Sequence, residues 1–414
     1  MKLDLPGVPD KRLAVRLTPD AFRQVRGGHP WVFDRAIVSN SIPDAPPGAL
    51  AVIFDSKRDF AGIGLWDPQS PIRIRMLHAG KPVQIDSTFW NGLVERALAH
   101  RSSLGTKTTG WRLLHGENDG VPGLIVDRYD STLVCKVYSP CWLPHLEAVL
   151  DALQTQVAPE RIVLRLGRLA TQSVEIERAG LIDGMVVSGE PVDGPIEFLE
   201  NDLRFTADVL DGQKTGYFLD QRDNRQRLRD HIQAKPESNT SVLDVFSCGG
   251  GFSVYAAAGG ATLVHSVDIS APAISNAQEH MAMNSHLTGG ARHEVTVGDA
   301  FEVMADLAAA GSRFDVVVVD PPSFASKESE RHGAIRAYRK LADLATALVA
   351  PGGRLIQASC SARVTEDELY STVTAAVRSH ARTITSQEVH GHGVDHPISF
   401  PEGRYLKAVT LDLA

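Results

Sequence analysis

The sequence predicts an α/β protein. Its C-terminal domain reads as doubly wound around a mostly parallel sheet, preceded by a central α+β domain and a small N-terminal β-barrel. Three observations carry this. From about residue 240, strand-like and helix-like segments alternate. Apolar runs such as 316–319 read as strands buried on both faces, as in a parallel sheet covered by helices. Residues 11–81 instead hold short strand-like runs between turn signals, which suits a barrel.

The barrel strands are expected at 13–17, 49–54, 60–65 and 72–77, with a Pro- and Gly-rich turn at 41–48. Gly27-Gly28-His29-Pro30 precedes the aromatics Trp31 and Phe33, so the stretch reads either as a base-stacking face or as a turn into a core strand. Phe89, Leu93, Ala97 and Leu98 recur at helical spacing within 84–104. A turn cluster at 115–127 then feeds a strand, followed by a strand at 133–138, a helix near 144–157 and a strand at 161–166. Asn201-Asp202 between 196–199 and 203–207 reads as a hairpin. The last domain carries strands at 241–246, 263–267, 294–297, 314–319 and 354–358, with helices at 272–285, 300–310 and 332–349. The expected domain spans are 11–81, 82–195 and 196–414.

Composition bounds the function. No apolar run approaches the ~18–20 residues of a membrane helix, and the first residues lack the apolar core of a signal peptide. A cytoplasmic protein with no membrane partner is expected. Four cysteines in 414 residues are too few for a disulfide framework, and Cys135 and Cys141 lie at no common zinc spacing, so no metal is expected. The net charge of −8 conceals an asymmetry. Residues 11–81 carry eleven Lys+Arg against six Asp+Glu, which leaves the rest of the chain at −13. A basic module on an acidic body fits a polyanion-binding arm, with ordinary surface solvation as the alternative.

The strand ends of the last domain point to a ligand. Asp244-Val-Phe246-Ser-Cys248-Gly249-Gly250-Gly251 follows a strand and opens a helix, where glycines let backbone N–H groups approach closely. It lacks the G-x-G-x-x-G spacing of a dinucleotide site. The next strand ends in Asp268-Ile269, placing a carboxylate where ribose hydroxyls are gripped. The third ends in Asp299-Ala300, where a carboxylate can accept from an adenine amino group, and the fourth in Asp320-Pro-Pro-Ser-Phe324. Any one of these acids alone reads as a helix cap or turn residue. Four in a row favour a cationic sulfonium, S-adenosylmethionine, over a phosphate-rich NAD.

These residues resemble the class I methyltransferases of the bacterial 23S ribosomal RNA large-subunit methyltransferase I type. The glycine loop, Asp320-Pro-Pro-Ser-Phe324 and Ser359-Cys360-Ser361 carry the likeness, as do the stretches 212–225, 116–124 and 401–407. The resemblance implies an RNA-binding PUA barrel, a central domain helping to form an RNA cleft, and a Rossmann-like methyltransferase domain. It implies 5-methylation of a cytosine in 23S rRNA, although some relatives with these domains methylate other bases. Within 212–225, Phe218, Gln221, Arg222 and Asn224 are suited to wrap the cofactor, with the ring on adenine and the polar groups on the methionine carboxylate. The alternative is a helix packed on the sheet edge with Arg222 and Arg225 solvated. Lys214 is equally suited to a phosphate. A homodimer is one expected assembly.

C5 of cytosine is a poor nucleophile, and addition of a thiolate to C6 makes it carbanion-like. Cys360 stands at the end of the last parallel strand, before the capping-box sequence Thr365-Glu-Asp-Glu368, where a strand-end nucleophile belongs. Position alone leaves a buried strand cysteine equally open; the Ser-Cys-Ser likeness favours the nucleophile. Cys248 is expected to pack on the cofactor, and Cys135 and Cys141 to be structural. Asp320 is the expected partner of the cytosine N3/N4 edge. Pro321 and Pro322 stiffen its loop against a flipped base. Ser323 stands where two-cysteine relatives carry a release cysteine, so the base that removes the C5 proton is not assigned. Two other readings stand beside this one. One is methylation elsewhere, such as guanine N7, with no cysteine; the other is an idle RNA-binding assembly factor.

Overall fold

The computed structural model describes residues 3–55, 57–234 and 239–414. The chain forms two compact units. The first holds the residues up to Leu199 with Thr206–Leu219 and Val394–Gly403; the second holds Glu200–Phe205, Asp220–Gly393 and Arg404–Ala414.

The first unit opens with β1 (Leu13–Leu17), α1 (Pro19–Arg26), β2 (Trp31–Phe33), β3 (Ile37–Asn40), β4 (Leu50–Phe54), β5 (Phe60–Trp66) and β6 (Ile72–Ala79). These strands form one sheet in the order β2-β6-β5-β4-β1-β3. In β1 the period of two is plain: Leu13, Val15 and Leu17 are buried while Ala14 and Arg16 are exposed. Helix α1 departs from the expected run of strands. Ala21, Phe22 and Val25 turn one face of its eight residues onto the core, and Pro19 at its first turn marks the start.

The chain continues through α2 (Ser87–His100), β7 (Gly110–His115), β8 (Leu124–Tyr129), β9 (Thr132–Val137), α3 (Leu143–Val157), β10 (Arg161–Leu166), α4 (Val174–Arg178) and β11 (Met185–Ser188). Its five strands form a second sheet in the order β11-β10-β9-β8-β7. One face of the barrel and this α+β layer share a single core: Leu50, Val52, Ile63 and Leu65 pack in the same cluster as Trp90, Leu113, Trp142 and Leu146. The two segments expected to divide near residue 82 are thus fused through apolar packing. A hairpin of β12 (Ile196–Glu200) and β13 (Leu203–Ala207) follows. Asn201 and Asp202 at its tip have φ of 50° and 68°, the left-handed backbone that a two-residue hairpin turn requires and that Asn and Asp tolerate.

The second unit contains α5 (Arg222–Gln233), β14 (Ser241–Val245), α6 (Gly251–Ala258), β15 (Leu263–Asp268), α7 (Ala271–Met283), β16 (Arg292–Val297), α8 (Ala300–Ala309), β17 (Phe314–Val319), α9 (Arg331–Leu348), β18 (Val349–Ser359), α10 (Glu366–Ser379), β19 (Ile384–His390) and β20 (Lys407–Leu413). Its seven-stranded sheet runs β16-β15-β14-β17-β18-β20-β19. The first five strands are parallel; β20 adds antiparallel to the β18 edge, and β19 antiparallel to β20. Val316–Val319 are fully buried, as a strand covered on both faces must be. Strand order reverses between β14 and β17, so the crevice for a ligand opens outside their carboxyl ends.

Candidate active site

The loop leaving β14 is strained and tightly held. Phe246 and Cys248 adopt φ of 62° and 48°, unusual for side-chain-bearing residues and most often kept at ligand clamps. Gly250 has φ of 71°, and a Cβ there would stand 2.7 Å from the Ala277 Cβ on α7. Only glycine lets the loop lie this close to α7. The Gly249 carbonyl is 2.7 Å from the His280 Nδ1. Asp244, buried at the end of β14, accepts from the Ser253 N–H at 3.0 Å and the Ser253 hydroxyl at 2.7 Å, both through Oδ2. Burial pushes its carboxyl up to about 6. Its Oδ1 and the Ser247 hydroxyl are buried without a hydrogen-bond partner among the described residues. Buried polar atoms are rarely left so unless a ligand or water completes them.

The other acidic strand ends divide by role. Asp268 accepts from the Cys248 N–H and the Ser270 N–H, each at 2.9 Å, and so ties the glycine loop to the turn before α7. Ile269 beside it is 72% exposed, an apolar side chain open to a planar ring. Asp299 caps α8: its Oδ1 accepts from the Phe301 and Glu302 N–H groups at 2.9 and 3.2 Å. Helix capping therefore accounts for one oxygen of Asp299. Its Oδ2 has no protein partner among the described residues. Ala300, the first residue of α8, is buried.

The 212–225 stretch is split between the units. Phe218 lies in the first, where the Lys214 ammonium stands 4.3 Å from its ring centroid. Gln221, Arg222 and Asn224 lie in the second, and all three are buried. The Asn224 amide donates to Gln221 Oε1 at 2.6 Å, and Arg222 pairs with Asp223 at 3.0 Å. Arg225 is buried too, donating from Nε and Nη2 to the two oxygens of Glu200, each at 2.8 Å. The alternative reading of a packed helix with solvated arginines is corrected in its second half: α5 does pack, yet both arginines are enclosed with acidic partners. A fully buried bidentate pair of this kind is costly to break from one side.

The third group joins the ends of β17 and β18. The Ser359 hydroxyl donates to the Tyr338 phenol at 2.8 Å, and the Tyr338 and Ser361 hydroxyls are 3.0 Å apart. The Ser361 hydroxyl is 3.0 Å from that of Ser323 and accepts from the Phe324 N–H at 3.2 Å. The two serines flanking Cys360 thus lock it to α9 and to the Asp-Pro-Pro-Ser-Phe loop. Burial raises the Tyr338 phenol, its bonds to Ser359 and Ser361 oppose this, and the charges of Cys360 and Asp320 add to it. Ser323 serves as a tether here.

The cysteines separate by environment. Cys135 and Cys141 are fully buried, and burial pushes both thiols up to about 12. Burial also pushes the Cys248 thiol up; a Gly249 hydrogen bond opposes this, while the carboxylates of Asp268, Asp320 and Asp244 add to it. Cys248 and Cys360 are both half-buried, the first in the glycine loop and the second at the end of β18.

The sequence profile of the S-adenosylmethionine-dependent methyltransferases matches residues 146–388, and that of the PUA-like domain matches 15–79. A protein of Deinococcus radiodurans named ribosomal RNA large subunit methyltransferase is 42% identical, over 99% of this chain and 100% of its own. The ribosomal RNA large subunit methyltransferase I of Shewanella denitrificans is 34% identical over 96% of this chain and 98% of its own. The chain belongs to this S-adenosylmethionine-dependent methyltransferase family. Among solved structures, a Streptococcus mutans protein described as a methyltransferase of this kind is similar in fold. It has a TM-score of 0.78 at 20% identity over 96% of this chain and 99% of its own.

The methyltransferase's own residues suit the sulfonium cofactor. The unsatisfied oxygens of Asp244 and Ser247, the glycine backbone, Asp268 and the open Ile269 line the carboxyl ends of β14 and β15. Their net charge is negative, as a cationic ligand requires. Sequence reasoning missed Tyr338 and Lys407. Tyr338 sits inside an amphipathic helix, where an aromatic residue reads as core filler. Lys407 opens an apolar strand and is 2% exposed, and no local pattern reports a buried lysine.

Proposed function

We propose that this methyltransferase acts on RNA of the large ribosomal subunit, methylating C5 of a cytosine through a covalent Cys360 adduct at C6. The observation that carries this reading is the mounting of Cys360. It is half-buried at the end of β18, and both flanking serines are hydrogen-bonded into a network reaching Tyr338 and the Asp320 loop. The other three thiols are disfavoured as thiolates by burial. The names of the relatives and the basic, PUA-like N-terminal segment support the RNA substrate.

S-adenosylmethionine supplies the methyl group when bound. Asp244, Phe246, Cys248, Gly249, Gly250, Asp268, Ile269, Asp299, Ala300 and Asp320 form its site in this reading, together with Gln221, Arg222 and Asn224. The Cys360 thiolate attacks C6 of the flipped base, and the electron pair displaced from C5=C6 makes C5 nucleophilic. Asp320 accepts from the exocyclic amine of the cytosine and favours a proton on N3. Pro321 and Pro322 hold its loop rigid.

RNA bearing 5-fluorocytosine at the target tests the reading, because fluorine at C5 cannot leave as a proton. The enzyme is expected to become trapped on this RNA through a peptide containing Cys360. Cys360→Ala is expected to lose trapping and turnover while binding adenosylmethionine within a few-fold of wild type. A Cys360→Ala enzyme that methylates at near wild-type rate overturns the covalent chemistry and leaves a base such as guanine N7 as the target.

A further inference from the structure

Lys407 is the first residue of β20, and the antiparallel register sets it opposite Ser359 on β18. The next residue along β18 is Cys360. The Lys407 side chain is almost fully buried, and its Nζ donates to the Ser361 carbonyl at 2.6 Å. No carboxylate among the described residues lies within ion-pair distance of it. Lysine is rarely enclosed without an acidic partner, because desolvating an ammonium is costly. A buried lysine at the turn carrying Cys360 therefore calls for an explanation.

We propose that Lys407 is the positioning cation of Cys360, holding the thiol as a thiolate for attack. The proposal rests on Cys360 being the nucleophile. In the activating step the S–H bond breaks and its proton goes to solvent, leaving a thiolate beside the Lys407 ammonium. The sulfur keeps the electron pair that forms the S–C6 bond. When the adduct breaks down, the C5–H bond gives its proton to solvent, its electron pair restores C5=C6, and the sulfur leaves with the S–C6 pair as a thiolate beside the same ammonium.

The surroundings leave Lys407 a cation near neutral pH. Burial lowers its ammonium to about 8, while Cys360, Glu366 and Glu368 pull it back up. Glu368 is already engaged by Arg331 and by Thr365 at the start of α10. The Tyr338 phenol faces Ser359 and Ser361 from α9, with Asp320 beyond it on the β17 side. On the β19 side, His390 lies opposite Ala408, and the His392 ring accepts from the Leu406 N–H at 3.1 Å. Among these groups Lys407 is the buried cation hydrogen-bonded to the residue that follows Cys360.

The full-length enzyme tests this by the pH profile of Cys360 alkylation with iodoacetamide, read by peptide mass spectrometry. Lys407→Met is expected to raise the midpoint by about one pH unit or more while leaving the high-pH plateau within about twofold. Lys407→Gln keeps a donor for the Ser361 carbonyl but no charge, and it is expected to give the same rise. Lys407→Arg is expected to keep the wild-type midpoint. Adenosylmethionine affinity, measured by calorimetry, is expected to stay within a few-fold in all three. A lysine serving only the Ser361 carbonyl predicts an unmoved midpoint in Lys407→Gln, and that result overturns the proposal even if Lys407→Met does not fold. The 5-fluorocytosine trap separates the two claims. A wild-type enzyme that methylates without a Cys360 adduct sinks the covalent reading whatever the lysine does. An unmoved midpoint in an enzyme that forms the adduct sinks the role of Lys407 alone.

Discussion

The carboxylate of Asp268 accepts a hydrogen bond from the Cys248 backbone N–H at 2.9 Å. The end of β15 therefore holds the glycine loop leaving β14 in the strained shape it has at Phe246 and Cys248. A residue expected to grip a ribose also fixes the loop beside it. Asp268→Ala is then expected to weaken adenosylmethionine binding by the ~1.5–3 kcal/mol typical of a charged hydrogen-bond partner, about tenfold or more. Calorimetry checks this, and unchanged affinity in a folded variant removes Asp268 from the site.

Cys248 lies in that loop among three carboxylates that disfavour its thiolate. Cys248→Ala is expected to retain trapping by 5-fluorocytosine RNA and to change adenosylmethionine affinity instead. Loss of the trapped complex in Cys248→Ala, with Cys360 intact, would make Cys248 the attacking sulfur.

Ser361 joins two loops through one hydroxyl, which contacts Ser323, Tyr338 and the Phe324 N–H. Ser361→Ala leaves those partners unsatisfied, at a cost of ~1–3 kcal/mol in folding stability. Turnover is expected to fall at least tenfold with adenosylmethionine affinity nearly unchanged, because the network positions Cys360 and the Asp320 loop. Equal losses in both quantities would point to general unfolding, which the melting curve would reveal.

Removing the barrel is a poor test of RNA binding, because Leu50, Val52, Ile63 and Leu65 belong to the core shared with the central layer. Charge reversal is cleaner. Arg12, Arg16 and Arg26 are exposed on the barrel. Their replacement by Glu is expected to weaken RNA binding. The plot of log K against log salt should flatten by roughly 0.7–0.9 for every phosphate the protein no longer neutralises. An unchanged slope in the triple variant places the RNA footprint elsewhere.

Asp244 gives a pH dependence of known sign. Burial raises its carboxyl from 3.8 to about 6, so the folded enzyme binds this proton more readily than the unfolded chain. Its contribution to stability is fully present below the unfolded value and is lost as pH rises through about 6. At ~1.4 kcal/mol per pH unit, the ligand-free enzyme is expected to lose up to ~3 kcal/mol from this group between about pH 4 and 6. Asp244→Asn is expected to flatten that part of the profile in denaturant titrations. A wild-type profile in Asp244→Asn assigns the dependence to another group.

The sequence by itself determined the elements whose apolar pattern is local. The runs at 13–17, 161–166, 203–207 and 314–319 coincide with β1, β10, β13 and β17, because alternation or unbroken apolarity reports which faces a strand buries. The glycine loop and the acidic strand ends were legible for the same reason, since each is a short motif with its own backbone logic. Tertiary structure decided what distant segments do to one another. Strand β19 was invisible because four of its seven residues are exposed and its pairing, not its composition, makes it a strand. Arg225 looked like a surface residue until Glu200, 25 positions earlier, enclosed it. Lys407 came next to the Ser-Cys-Ser turn only through the β18–β20 register, which sets it opposite Ser359. Periodicity reveals how a residue faces its own element; register and packing choose its neighbour, and the chemistry of this site lies between neighbours.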